Sequence, residues 1–419
     1  MKMLKNLSLT MLLVLPCASF AQEAEEEFED PTFTSGAIKP VVEDIEDETG
    51  TASAVPQVAE TLRPYPDKVY EGARVLSMDV AFVNDCRKAI DLVYGRDYAG
   101  AQKAFDDIQR RHPGSALAPV GKVLVYQALM LENLDFRYEK QYELASNTAR
   151  QQLMEALEVR GNDAWENFIM GGILGIDAIH SMRRGNYLTA LGRALEAMKS
   201  VNRAKELAPE FPDLLLGDGL YNYWRTVISR STKGLPDFAD KRTLGIEQLR
   251  TVQEEGIFLG PAATFALVFT WIEEGAKKRA TAAALRNHKV YPNNVVNNLQ
   301  LGRLYMYRRN YVEAERYFKM VIATAPNNRR APLDMTKMLL RQKRLADAET
   351  FVNKYLSLQL SKRERAVALL LKSQIYYRRK DFNTAESLAK EAWKVGKLKR
   401  AKKRLAKISK ARDREAQKK

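Results

Sequence analysis

Three histidines, His112, His180 and His288, are the side chains of this 419-residue chain best suited to proton transfer near neutral pH, and each stands alone in sequence. None belongs to a His-Glu-x-x-His pair or to a Cys/His cluster of zinc spacing, so the sequence offers no ligand set for a metal. No Gly-x-Ser-x-Gly elbow presents a nucleophile. Gly171, Gly172 and Gly175 come nearest to a phosphate loop, but Ile169, Met170, Ile173, Leu174 and Ile176 surround them in an apolar helical run. A phosphate loop needs a strand before it, so these neighbours favour close helix packing instead. The acidic residues are too numerous for one pair to stand out as acid and base. The expectation is a protein that is not an enzyme, with no cofactor and no metal. The chemistry left to it is recognition, and the residues able to do that must be held by helices.

Those helices announce themselves between Asn298 and Lys394, where one helical-hairpin pattern recurs three times. In the first copy, about 295 to 328, helix A carries Leu301, Leu304 and Tyr305 along one face at i, i+3, i+4. Gly302 leaves room for the partner helix, and Tyr311, Ala314, Phe318 and Val321 form the matching face of helix B. Pro326 ends that helix, because proline lacks the amide donor and clashes with the preceding turn. The second copy has Met335, Thr336, Leu339, Leu345, Ala348 and Val352; the last has Ser373, Tyr376, Phe382, Ala385 and Ala389, with Lys372 in place of the leucine. Ala314, Ala348 and Ala385 anchor successive copies, 34 and then 37 residues apart.

Further copies are traceable upstream. Leu92, Tyr98, Ala101, Phe105 and Pro113 form one over about 82–115. Gly185, Tyr187 and Ala190 mark a degenerate one whose second helix runs to about Glu206. Residues 211–290 keep helical periodicity through Phe265, Leu267, Trp271 and Ile272 without the full motif. An irregular interval at Ser229–Asp240 holds Gly234-Leu235-Pro236, which breaks any helix. This order of large, small, aromatic, Ala, Phe and Pro residues at a 34-residue period resembles the tetratricopeptide repeat (TPR) family. The resemblance is specific over about 295–394 and thinner upstream. It implies an all-α, right-handed TPR-like helical-hairpin solenoid that binds protein or peptide, and it implies no substrate.

In that family helix A lines the concave face, so the repeat register says which side chains would point there. They are Arg303, Met306 and Tyr307 in the first unit, Lys337, Leu340 and Arg341 in the next, and Gln374, Tyr377 and Arg378 in the last. Cations and aromatics alternate along this surface, which suits an acidic, partly apolar peptide through charge-assisted hydrogen bonds and apolar contacts. A solvated face on a basic protein is the competing reading. The carboxylate-gripping version of the repeat uses Lys and Asn at defined helix-A positions; here Leu299 and Arg303 occupy two of them, so that specificity does not carry over.

The formal net charge is +15 and is unevenly placed. Residues 22–62 hold twelve Asp/Glu against one Lys, a composition that cannot bury enough apolar surface to order itself. Residues 394–419 hold thirteen Lys/Arg against Asp413 and Glu415, with Val395, Leu398, Leu405 and Ile408 as a sparse apolar stripe. This basic tail reads either as a solvated, fraying helical extension or as an attachment to an anionic surface. Nucleic acid is not expected as a partner, since no aromatics interleave the charges. The acidic segment could also lie against the basic groove in cis, its tether raising its effective concentration.

The first 21 residues read as a signal peptide: Lys2 and Lys5, an apolar Leu7–Leu15, and Ser19-Phe20-Ala21 as the cleavage site. The run is too short to span a bilayer, and Pro16 argues against lipidation at Cys17. Cleavage after Ala21 leaves Cys86 as the lone cysteine, without an internal disulfide partner. No Asn-x-Ser/Thr sequon follows residue 21, which favours a bacterial periplasm over a eukaryotic secretory route. The expected organisation is thus a signal peptide at 1–21, an acidic disordered linker at 22–66, a degenerate TPR-like region at 67–290, three TPR units at 291–394 and a basic helical tail at 395–419. The expected role is a periplasmic scaffold or adaptor that binds a partner protein in its groove. The alternative is an envelope-associated structural factor held by its tail.

Overall fold

The computed structural model describes residues 67–161, 163–231 and 239–417. The expected signal peptide, the acidic linker and the Gly234-Leu235-Pro236 break lie outside the described residues. Among the described residues all regular structure is helical. A first helix, α1 (Asp67–Val75), precedes eight successive pairs. These are α2 (Val80–Gly95) with α3 (Tyr98–Arg111), α4 (Leu117–Asn133) with α5 (Glu139–Arg160), α6 (Ala164–Arg183) with α7 (Tyr187–Leu207), and α8 (Leu215–Ser231) with α9 (Arg242–Glu255). They continue with α10 (Gly260–Glu273) and α11 (Lys277–Val290), α12 (Val295–Tyr307) and α13 (Tyr311–Thr324), α14 (Arg330–Arg341) and α15 (Leu345–Leu356), and α16 (Lys362–Arg378) and α17 (Phe382–Gly396). A final helix, α18 (Lys399–Ala416), is the basic C-terminal segment. The protein is therefore an all-α, TPR-like array of helical hairpins. Its described residues divide into two compact units, one within Met1–Met130 and Phe136–Asn297 and one within Leu131–Asp135 and Asn298–Lys419, with the division falling inside α12.

One backbone motif makes most of the turns inside the pairs. Arg96, Gly185, Gly275, Arg309, Lys343 and Lys380 all take left-handed φ values, between 59° and 83°. At Lys343 the amide donates to Leu340 O at 3.1 Å and the next amide, of Arg344, reaches back to Leu339 O at 3.0 Å. Arg309 and Lys380 repeat the pattern, as do Arg96 and Gly185 in the first unit. Such a turn closes the last open carbonyls of the outgoing helix. Asp97, Asn310 and Asp381 follow directly and cap the incoming helix, their side chains accepting from the amides of Gly100, Glu313 and Thr384. Five residues after each left-handed residue comes an alanine: Ala101, Ala190, Ala280, Ala314, Ala348 and Ala385 are all buried. In α9, Gly245 serves where no alanine would fit, since a Cβ there would meet Gly219 O and Tyr223 N at 2.7 Å.

The first unit is tied by buried polar contacts. The Asp213 carboxylate accepts from three successive amides, those of Ile257, Phe258 and Leu259, at 2.6–2.8 Å. Arg242 and Glu274 form a buried pair at 3.1 Å, and the Tyr223 hydroxyl donates to the same carboxylate at 2.8 Å. Arg87 Nη1 donates to Ile257 O at 2.7 Å, the Tyr291 hydroxyl donates to Asp91 at 2.6 Å, and the Tyr94 ring stacks on Phe265 at 5.2 Å. The earliest pair of this unit is thereby held against its latest.

In the second unit, Tyr305 stacks on Tyr317 at 5.7 Å, and a Cβ on Gly302 would meet the Phe318 ring at 2.7 Å, so glycine sets how closely α12 and α13 approach. Neighbouring pairs are joined by acids that directly follow the anchor alanines. Glu315 pairs with Arg344, Glu349 with Arg379 and Glu386 with Arg412. α18 is a docked helix, not a fraying extension. Ala401 and Ile408 are fully buried in a cluster with Leu369, Ala385, Ala389 and Ala392, and Leu405 packs against the same cluster. Leu405 and Ile408 of the stripe read from sequence are joined in docking by Ala401, which that stripe did not include, and the spacing 401, 405, 408 keeps the three on one helical face.

Candidate functional site

The surface singled out by the repeat register lies on the first helices of the pairs in the second unit. Arg303 is buried, its Nε 3.5 Å from Asp334 Oδ2, and Arg330 Nε stands 2.9 Å from the same oxygen. Burial pushes the Asp334 carboxyl up, but Arg330 and Arg303 outweigh it and hold the group below the ordinary carboxylate range. Met306 and Leu340 are also buried, in the core of the unit. Tyr307, Lys337, Arg341 and Tyr377 are half-buried, and Arg378 is exposed. The Arg378 guanidinium donates to the Leu340 carbonyl, tying α16 to α14. Gln374 is buried and accepts from Arg404 Nη2 at 3.0 Å.

Tyr377 meets Phe382 edge to face at 5.8 Å, and the cationic ends of Arg404 and Lys407 each stand 5.8 Å from its ring centroid. The register thus gathers Tyr307, Lys337, Arg341, Tyr377 and Arg378 as side chains with solvent access, and turns Arg303, Met306, Leu340 and Gln374 inward. Arg404 and Lys407 were not among the residues singled out from sequence. The continuation of the apolar stripe past Leu398 was the signal that could have placed them.

Chemistry-bearing groups in the first unit are arranged for structure. The Tyr142 hydroxyl donates to Asp177 Oδ1 at 2.6 Å, and Ser146 Oγ stands 2.8 Å from both Asp177 oxygens. His180 Nε2 lies 3.3 Å from Glu139, and burial lowers the pKa of the ring. A nucleophile triad needs serine on histidine and histidine on the acid. Here the serine bonds to Asp177 and the histidine to a different acid. Gly171 lies in close helix packing, where a Cβ would stand 2.7 Å from Val201 Cγ2. Burial pushes the Cys86 thiol up, which disfavours the reactive thiolate. Among the described residues no group of three or more His, Cys, Asp or Glu side chains could hold a metal ion. No helix among them is long and apolar enough to cross a membrane.

Comparison with known proteins bears on the same stretch. The family profile described as tetratricopeptide repeat matches residues 299–363. Among solved structures, yeast Tom70 is similar with a TM-score of 0.42 and 12% identity, over 82% of this chain and 78% of that one. A tetratricopeptide repeat protein from Parabacteroides merdae is similar with a TM-score of 0.28 and 15% identity, over 82% of this chain and 100% of that one. No curated protein sequence matches. The profile match falls on the pairs whose turns, anchor alanines and glycine contact are described above, so residues 299–363 carry tetratricopeptide repeats.

Proposed function

We propose that this protein is an exported, periplasmic scaffold that binds an acidic, partly apolar segment of a partner protein along the first helices of its second unit. The observation that carries the reading is the sorting of charge on that face. The Asp334 carboxylate is buried and engaged by Arg303 and Arg330, while Lys337, Arg341 and Arg378 keep solvent access beside the Tyr307 and Tyr377 rings. Guanidinium and ammonium groups at that spacing give charge-assisted hydrogen bonds to carboxylates, and the rings give apolar contact between them. A binding role also fits a fold whose polar clusters are internal braces.

The test is a fluorescence-anisotropy titration of the full mature chain with a labelled oligoglutamate peptide carrying one phenylalanine. Arg341→Glu with Arg378→Glu should weaken binding roughly tenfold at low salt, given about 0.2–1 kcal/mol for each exposed charge contact and reversal of its sign. Equal affinity of variant and parent would remove the groove reading. Export is tested separately, by cell fractionation and by the mass of the secreted form, which should begin at Gln22. Attachment to an anionic envelope surface through residues 394–419 is the competing reading. The docking of the apolar side of α18 weighs against its insertion into lipid.

A further inference from the structure

One side of α18 carries a row of exposed cations. Its residues sort into a buried face and an exposed row. Ala401, Leu405 and Ile408 face the α16–α17 pair. Lys399, Lys403, Lys407, Lys410 and Arg414, spaced i, i+4, i+8, i+11 and i+15, are all exposed, and Lys407 stands at the edge of this row nearest α16. At 1.5 Å per residue this cationic row is roughly 22 Å long. It is also fixed in place. Arg412 pairs with Glu386 at 2.7 Å, Glu415 pairs with Lys380 at 3.0 Å, and the Lys402 ammonium stands 4.4 Å from the Trp393 ring centroid. A row anchored in this way keeps its charges in register, where a solvated tail would spread them over many conformations.

The row meets the candidate face at Lys407. Arg404, one turn from Lys407, donates to Gln374 on α16, and Arg404 and Lys407 both face Tyr377. Three alternate helices therefore carry cations along connected ground: Lys337 and Arg341 on α14, Arg378 on α16, then Arg404 and Lys407 on α18. Each step is tied by a contact between neighbouring helices, Arg378 to the Leu340 carbonyl and Arg404 to Gln374. We propose that α18 is a further wall of the same groove, and that its exposed row receives the carboxylates at one end of the bound partner segment. The inference rests on the groove reading above. It assigns the basic C-terminal helix to protein recognition and not to a lipid surface. The apolar face that a membrane-bound helix would insert is already buried against Leu369, Ala385 and Ala389. The occupant it fits is a peptide segment whose acidic residues run on beyond the stretch covered by Arg341 and Arg378.

The same labelled oligoglutamate-phenylalanine peptide tests it on the full mature chain. Lys407→Glu, Lys410→Glu and Arg414→Glu together should weaken binding roughly tenfold, and their glutamine counterparts by a smaller factor in the same direction. A control with the same charge change at exposed cations off the row, Lys354→Glu, Arg365→Glu and Lys394→Glu, should weaken it by less than about threefold through net charge alone. The glutamine set guards against undocking of α18, which hydrogen exchange of its amides would reveal. If the Arg341/Arg378 variant loses the peptide while the row variants behave as the control does, α18 is not part of the groove and the groove reading survives. If neither set alters affinity, both fall. If the row variants keep the peptide but lose flotation with vesicles of phosphatidylcholine and phosphatidylglycerol, the helix is a surface anchor and this inference is overturned.

Discussion

Gly171 and Gly172 are neighbours on α6, and replacing each by alanine should move stability in opposite directions. Alanine in a helix interior is favoured over glycine by about 0.8–1 kcal/mol. At position 172 a Cβ meets nothing within 4 Å, so Gly172→Ala should keep that gain whole. At position 171 the added carbon would stand 2.7 Å from Val201 Cγ2 and 3.3 Å from both Ala197 O and Val201 N on α7. The valine methyl can turn aside, but the α7 backbone can only move away as a whole. Overpacking of this kind costs about 1–3 kcal/mol. Set against the same helix gain, Gly171→Ala should be destabilising by about 1 kcal/mol, some 2 kcal/mol below its neighbour. Arrays of helical pairs open in parts, and one urea midpoint would blend them, so the assay is native-state hydrogen exchange of the α6 and α7 amides. Adding Val201→Ala to Gly171→Ala should recover part of the loss. Equal gains in α6 protection from both single variants would show that the two helices do not approach as closely as described, and the packing argument would fail with them.

Two further perturbations probe the second unit. Asp334→Asn leaves Arg303 and Arg330 buried without their shared carboxylate and should cost about 3 kcal/mol at neutral pH, as removal of one partner from a buried pair commonly does. Because the folded Asp334 pKa lies below its unfolded value, its stabilisation is present above about pH 4 and is lost as pH falls through the folded value. Exchange protection of the α14 amides, followed from pH 7 to 3, should show this acid loss in the parent and a weaker one in the variant. Lys343→Gly should stabilise the α14–α15 turn by about 0.5–1 kcal/mol, since a left-handed conformation costs a side-chain-bearing residue about 1–2 kcal/mol and glycine returns part of this as unfolded-state entropy. Lys343→Ala, which keeps the strain, should show no such gain in exchange protection of the α15 amides.

The helical pairs were readable from sequence wherever an aromatic, an anchor alanine and a helix-ending residue fell in the usual order. Ala101, Ala190, Ala314, Ala348 and Ala385 sit buried at the same step after each turn. In 211–290 the same step was present as Gly275 and Ala280, but Lys277 and Ala284 stand where the second helix of the first copy has Tyr311 and Phe318. The α8–α9 pair was hidden for another reason, since Gly245 takes the small position and mutual approach with Gly219 leaves no room for a methyl. The turns themselves gave little signal, because Arg96, Arg309, Lys343 and Lys380 hold a conformation that composition assigns to glycine or asparagine. On the candidate face, the register named which helix side to inspect. It could not show that Arg303 turns inward, because its partner Asp334 is 31 residues away on α14, and only packing brings them together. Nor could it show that Arg404 returns to Gln374, which required the basic segment to dock.

The pairing of Glu315, Glu349 and Glu386 with cations of the following helices makes the array a counted one. Each acid stands one residue after an anchor alanine, so its position is inherited with the repeat, while the cation that answers it stands four residues before the next anchor alanine as Arg344 and six before it as Arg379. Excising one whole pair would bring Glu315 to Arg379 and leave no charge stranded. A cut that removed part of a pair would leave an acid facing the wrong turn of the next helix. The chain can therefore shed or duplicate entire hairpins at little cost while resisting any slip between them, and its length becomes adjustable only in whole steps.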